Sequence, residues 1–338
     1  MHKKILTRRD FLKTAGLAAL GAVAACTPFQ STLLPSQPPT TGPSPQPTLP
    51  PTPEGKQRVL RIAHMTDFHV SVGEGGNTMK RALHHALSQP NPPDIILNTG
   101  DSIGDSLYEK DKALVEAEWD VFTSALKSET SLPVVHAIGN HDVWGWGVTD
   151  DPAIKNDPLY GKAMAIEKLE LTNRYYSFDR AGWHFVVLDS THLPNQVNAA
   201  VGNPYVAQLD EEQFQWFTTD INAVAAATPV CILSHIPIVA ACVYFDGQNE
   251  ASGNWVVPAM WIHIDARRFR DYFVKTPNVR LCLSGHTHQY EVLDYLGVRY
   301  QTDGSVGSAF MDFPPAYVMV NLYSDGTSDS QFVPYDKV

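Results

Sequence analysis

Five short apolar runs along the chain each end in carboxylate, amide or imidazole side chains. Val59–Thr66 (VLRIAHMT) leads into Asp67-Phe68-His69, and Asp94–Thr99 (DIILNT) leads into Gly100-Asp101, with Asp105 one short turn later. Pro133–Ile138 (PVVHAI) stops at Gly139 and is followed by Asn140-His141-Asp142. Val230–Leu233 (VCIL) leads into Ser234-His235-Ile236-Pro237, and Val279–Leu283 (VRLCL) into Ser284-Gly285-His286-Thr287-His288. Runs of this length, partly β-branched and closed by turn residues, predict buried strands. In open α/β sheets the carboxyl ends of such strands are where ligands bind.

Between the runs the periodicity changes to helical. Thr78–Leu87 places Met79, Ala82, Leu83, Ala86 and Leu87 on one side, with His84 and His85 mid-helix and expected in solvent. Tyr108–Leu126 and Ile264–Val274 are expected as further helices. Asp210-x-x-Gln213 resembles a capping box; it opens a helix to about Ala226 whose Phe214, Phe217, Ile221 and Val224 form a core stripe. Tyr175–Asp179 and Trp183–Leu188 predict a hairpin turning at Arg180–Gly182, and the alternating segment Tyr290–Tyr335 predicts antiparallel strands. The strand–helix–strand rhythm argues for a parallel or mixed α/β sheet.

Several residues stand outside this pattern. His64 alternates with apolar neighbours and is expected to be structural, and Asp189 ends a strand with nothing nearby to complete a site. Trp144-Gly145-Trp146-Gly147 does not read as core; it is either a loop presenting aromatic walls to a ligand or local packing over the sheet. Ala240–Pro258 is irregular, with Tyr244, Phe245, Asp246, Asn249, Asn254 and Trp255, and suggests a second substrate loop.

The 338 residues, 43% hydrophobic and 18% charged, suffice for one large or two ordinary domains with a substantial core. Formal net charge is −11; residues 1–26 hold five basic residues and one acid, so the remainder stands at −15. A chain this acidic lacks the basic footprint of a nucleic-acid binder. If it handles phosphate esters, metal ions must bring the positive charge. Cys231 and Cys282 sit in apolar runs and are expected as small buried hydrophobes; with Cys242 they show no C-x-x-C spacing, although one pair could bridge.

Residues 1–26 have the form of a signal peptide: Lys3, Lys4, Arg8 and Arg9 precede the Ala-rich stretch Thr14–Ala25, short for a membrane span. Arg8-Arg9-Asp10-Phe11-Leu12-Lys13 resembles a bacterial twin-arginine signal. Val23-Ala24-Ala25-Cys26 resembles a lipoprotein cleavage box, which would leave Cys26 lipidated and the protein anchored at the extracytoplasmic face of a membrane. Ala22-Val23-Ala24 also satisfies ordinary cleavage, which would give a secreted soluble protein. Residues 27–57, rich in Pro, Thr, Ser and Gln, form an expected tether. Residues 58–325 are the expected catalytic domain and 326–338 a C-terminal strand and tail.

Taken in order, D-x-H, G-D, G-N-H-D, H and G-H-T-H resemble the motifs of the calcineurin-like metallophosphoesterases, over roughly Val59 to Tyr323. The resemblance implies an α/β fold in which a two-sheet β-sandwich is flanked by helices, with a dinuclear metal site at the strand ends. Carried over by position, it implies one ion on Asp67, His69, Asp101 and His288. A second would sit on Asp101, Asn140, His235 and His286, with Asp101 bridging. It further implies hydrolysis of phosphate esters, mono or di, by a metal-bridging hydroxide. His141 would stabilise the phosphoryl group or protonate the leaving oxygen, oriented by Asp105 or Asp142. Carboxylate, imidazole and amide donors suit Mn, Fe or Zn.

One departure matters. Purple acid phosphatases of this superfamily place a Tyr ligand three residues after the Asp101 position, where this chain has Gly104. The spacing Gly100-Asp101-x-x-x-Asp105 looks more like the branch with bacterial cyclic-nucleotide phosphodiesterases. A non-catalytic binding module on the same fold is the alternative from another class. An α/β serine hydrolase is disfavoured, since no G-x-S-x-G elbow opens a helix.

Overall fold

The computed structural model describes residues 56–148, 150–194, 202–245, 253–311 and 313–335. The expected leader, Cys26, nearly all of the tether and Asp246 and Asn249 of the second loop lie outside the described residues. Among the described residues no helix is long and apolar enough to cross a membrane.

Strand β1 (Arg58–Met65) leads into helix α1 (Glu74–Leu87), β2 (Ile95–Asn98), α2 (Lys112–Glu129) and β3 (Val134–His136). The short helices α3 (Pro152–Lys155) and α4 (Ala163–Lys168) precede the hairpin β4 (Tyr176–Arg180) and β5 (Trp183–Leu188). After the small pair β6 (Thr191–His192) and β7 (Val206–Ala207) come α5 (Glu211–Ala223), β8 (Val230–Ser234), α6 (Ala266–Phe273) and β9 (Val279–His288). The chain finishes with β10 (Glu291–Tyr295), β11 (Val298–Gly304), β12 (Ala316–Tyr323) and β13 (Ser328–Pro334).

Two sheets result, ordered β13-β12-β1-β2-β3 and β10-β11-β9-β8-β5-β4. β1, β2 and β3 run parallel, as do β5, β8, β9 and β11, so their carboxyl ends collect at one end of the molecule. The period-2 alternation of strands divides the apolar side chains between two faces. Ile62, Leu97, Phe185, Leu233, Leu283 and Val318 meet in the layer between the sheets. Ala63, Met65, Ile96 and Met319 face α1 and α2, through Met79, Leu83, Trp119 and Phe122. Val186, Ile232 and Val279 face α5 and α6, through Phe214, Phe217 and Phe269. The architecture is the expected two-sheet sandwich flanked by helices.

Some expectations need correction. Helix α2 begins at Lys112 rather than Tyr108, because the Asp111 side chain accepts from Ala113 and Leu114 N–H and caps it there. Asp210 caps α5 by accepting from Gln213 N–H, but the Gln213 side chain binds the Asp189 backbone instead of closing a box. The strands after Tyr290 form antiparallel pairs, yet they divide between the sheets: β11 lies parallel to β9 and β12 antiparallel to β1. Trp144 is core after all. It is 2% exposed, bridges Gly161 through its backbone, and donates its indole N–H to the Glu109 carbonyl. Asp189 is buried in an ion network with Lys162 and Arg174, which also reaches Asp210. His85, expected in solvent, is half-buried against the Tyr317 hydroxyl.

Candidate metal centre

The strand ends of the two sheets meet in one buried cluster. Asp67 and His69 follow β1, Asp101 follows β2 and Asn140 follows β3, all from the first sheet. His235 follows β8, and His286 and His288 close β9, all from the second. Ligand atoms of Asp67, His69 and His288 lie within 4.8 Å of one another, as do those of Asp101, His235 and His286. The seven expected metal residues are therefore brought together.

The backbone is bent to do this. Asp67, His69, Asp101, His286 and His288 adopt φ of 54°, 44°, 52°, 71° and 58°. Non-glycine residues rarely adopt this left-handed region, and such strain concentrates at functional sites. Gly139 and Gly285 allow the close approach. A Cβ on Gly139 would lie 2.1 Å from Asp101 Oδ1, and one on Gly285 2.3 Å from Asp67 Oδ2.

Each central carboxylate has one oxygen fixed by backbone and the other turned into the cluster. Asp67 Oδ2 accepts from His286 N–H at 2.9 Å, while Oδ1 lies 3.1 Å from His288 Nε2. Asp101 Oδ1 accepts from His141 N–H at 2.8 Å, while Oδ2 lies 3.2 Å from His235 Nε2.

The histidines are turned the same way. His69 Nδ1 is 3.3 Å from the Gly104 carbonyl and His235 Nδ1 is 3.0 Å from the Thr99 carbonyl, so both Nδ1 atoms donate, and in the neutral rings both Nε2 atoms carry lone pairs. His69 Nε2 then faces His288 Nε2 at 3.0 Å. His235 Nε2 faces Asn140 Oδ1 at 3.0 Å and His286 Nδ1 at 3.3 Å. In the neutral His235 ring the Nε2 lone pair meets Asn140 Oδ1 acceptor to acceptor, a contact that a bound cation would relieve, whereas His288 Nε2 and His286 Nδ1 present a proton or a lone pair according to tautomer. The donor set therefore fits divalent metal ions, and it offers no thiolate.

Burial works against charging Asp67 and Asp101, yet neighbouring histidines outweigh it and hold both below the usual carboxylate range, Asp67 far below. Burial likewise opposes charging His235, but Asp101, Asp67 and Asp142 push it up to about 9. These are the proton-bound counterparts of a site that cations would neutralise.

His141 stands at the edge of the cluster. Its Nε2 is 4.0 Å from Asp101 Oδ2 and its Nδ1 is 3.4 Å from Asp105 Oδ1. Burial is again outweighed, by Asp101, Asp105 and Asp142, and its pKa rises to about 9. Of the two candidates for orienting it, Asp105 faces the ring. Asp142 instead accepts from the Gly139, Ser102 and Ile103 backbone N–H groups and pins the loops together.

Residues outside the motifs complete the cluster. Thr66 donates its hydroxyl to Asp67 Oδ2 and Ser305 donates to the Asp67 carbonyl. Phe310 packs its ring 5.6 Å from that of His288. His64, structural as expected, is paired with buried Asp303 and contacts Thr99 Oγ1 at 2.9 Å. Nothing local in the sequence marks Ser305 or Asp303, because both reach the site from a strand more than 200 positions away from Asp67.

Comparisons with known proteins agree with this geometry. Residues 60–290 match the family model for calcineurin-like phosphoesterases. The chain is 24% identical over 300 residues to a 3′,5′-cyclic-nucleotide phosphodiesterase of Nostoc, covering 82% of this chain and 93% of that protein. It is 24% identical over 176 residues to purple acid phosphatase 22 of Arabidopsis thaliana, covering 51% of this chain and about a third (34%) of that relative's length. A crystal structure of a dimetal phosphatase from Danio rerio superposes with a TM-score of 0.56 at 14% identity, over 83% of this chain and 100% of that one.

Proposed function

Because this chain belongs to the calcineurin-like phosphoesterase family, we propose that it hydrolyses phosphate esters at two divalent cations, with Asp101 shared between them. Asp67, His69 and His288 would complete one set of donors, and Asn140, His235 and His286 the other. The carrying observation is the convergence of two sets of ligand atoms, Asp67–His69–His288 and Asp101–His235–His286, each set within 4.8 Å. Bound there, two cations supply positive charge against the phosphoryl oxygens and make a water acidic enough to attack at neutral pH.

The chain's own residues do the rest. His141, kept charged by its carboxylate neighbours, is placed to bind a phosphoryl oxygen or to protonate the leaving oxygen. Asp105 sets its orientation, and Asp142 holds the Gly100–Ile103 and Gly139–Asp142 loops at a fixed separation. Gly104 offers no phenolate beside Asp101.

The test is turnover of 4-nitrophenyl phosphate and bis-(4-nitrophenyl) phosphate by protein loaded with Mn, Fe or Zn. Hydrolysis of at least one ester should vanish with chelator and return with metal. No hydrolysis of either by protein holding two metal equivalents would favour the binding-module reading. Coverage of nearly the whole Nostoc relative favours a phosphodiesterase over a monoesterase, so the diester is expected to be the better substrate.

Export rests on sequence alone. The charged residues Arg8 and Arg9 and the Cys26 context support passage to the far side of a membrane, with a lipid anchor at Cys26. Cell fractionation and mass spectrometry of the amino terminus test it.

A further inference from the structure

The loops around the cluster share a composition that a phosphate-handling site does not require. Residues 66–78, 189–210, 235–265 and 303–316 contain no Lys or Arg. In the two other loops Lys110 pairs with Asp150, Lys162 and Arg174 with Asp189, and Lys168 with Asp120. The same loops expose large apolar side chains: Phe245 is 73% exposed, Trp255 60% and Met311 53%.

This apolar rim is tied directly to the metal cluster. Cys242 Sγ contacts Thr287 Oγ1 at 3.6 Å, between His286 and His288. Ala241 and Cys242 donate their backbone N–H groups to the Glu291 carboxylate just beyond. From that anchor the chain rises into Tyr244 and Phe245, and the Tyr244 ring lies 4.4 Å from Trp255. On another side, Phe310 packs on His288 and leads into exposed Met311.

We propose that a phosphoryl group held at the cluster lays its ester substituent over this rim, that the substituent is apolar and uncharged, an aryl or alkyl group resting on Phe245 and the Tyr244–Trp255 pair, and that esters with a second anionic group are rejected. The rejection follows from charge: the four loops without Lys or Arg offer no cation to receive another phosphate or carboxylate, and a second anion would be left desolvated and unpaired. The attraction follows from stacking and apolar burial, about 1–3 kcal/mol for a flat ring on an aromatic platform. This rests on the phosphoesterase reading above.

The test is steady-state kinetics of the metal-loaded protein on 2-naphthyl, n-octyl, glycerol and 3-phosphoglycerate esters, offered as monoesters and as methyl diesters. Calorimetric binding of naphthylmethyl and hydroxyethyl phosphonates, which cannot be hydrolysed, runs alongside. KM and Kd for the naphthyl or octyl compounds should be about tenfold or more below those of the glycerol and hydroxyethyl compounds, with 3-phosphoglycerate poorest. The naphthyl and octyl arms tell an aryl group from an alkyl one. In a Phe245→Ser/Trp255→Ser variant the preference should collapse toward a ratio of one. Equal KM values across the series, or a preference that survives the double variant, overturn the proposal. Equal KM values combined with binding to phosphatidylcholine vesicles assign the rim to a membrane surface instead. Absence of turnover on every ester would overturn the phosphoesterase reading itself.

Discussion

His69 Nε2 and His288 Nε2 lie 3.0 Å apart, although one side chain leaves the first sheet and the other belongs to the second. A cation bound between them would join the two sheets at the carboxyl ends of the interior strands β1 and β9. Removing divalent ions should therefore lower the melting temperature, and reloading should restore it. The His288→Ala variant should lose one of two metal equivalents and at least about a hundredfold in kcat. Metal analysis with calorimetry checks both. Two equivalents retained in the variant would contradict the assignment.

Asp105 and Asp142 separate by role. Asp105→Asn leaves the fold intact but loosens His141, so kcat should fall about 10- to 100-fold, most for esters with poor leaving groups. Asp142→Ala strands three buried backbone N–H groups and should cost about 3 kcal/mol or more of stability. Urea unfolding of both variants, with kinetics on two leaving groups, distinguishes them.

Gly139 is fixed by space. An added methyl would meet Asp101 Oδ1 at 2.1 Å and Asp101 N at 2.2 Å. Gly139→Ala should displace the shared carboxylate and reduce bound metal to less than one equivalent. Full loading of this variant would show that the loops can separate without loss of the site.

His136 makes stability depend on pH away from the metal residues. Burial holds its pKa down at about 4, against an ordinary value of 6.5, and its Nδ1 accepts from Asn98 Nδ2 at 3.1 Å. Between these values the unfolded chain binds the extra proton and the folded chain does not. This group's contribution is therefore full above the ordinary value and falls as pH drops toward the folded one. The loss is on the order of 2 kcal/mol at pH 5. Urea unfolding at pH 7 and pH 5 should show a smaller difference for His136→Gln, whose amide oxygen can accept from Asn98. An equal difference in both proteins would refute this.

The strands, their order of appearance and all seven cluster residues were legible because each motif sits immediately after an apolar run. What could not be read was placement set by other parts of the chain. Trp144 opens the run Trp144-Gly145-Trp146-Gly147 and looks like loop, yet Gly161 and Glu109 close over it from elsewhere. Asp142 is next to His141 in sequence and Asp105 lies 36 positions before it, yet it is Asp105 that faces the ring while Asp142 binds backbone N–H groups. The antiparallel ladders after Tyr290 were visible, but their division between two sheets depends on pairing with β1 and β9.

Two of the donors at the centre, His69 and His288, are 219 positions apart. A nascent chain that has emerged only as far as β3 offers half a coordination shell and no reason for an ion to stay. Two bound cations would thus require synthesis through β9 and the pairing of both sheets, so metal content would report the fraction of molecules in which the two sheets have come together. Shortened products ending before residue 288 should be metal-poor as well as inactive.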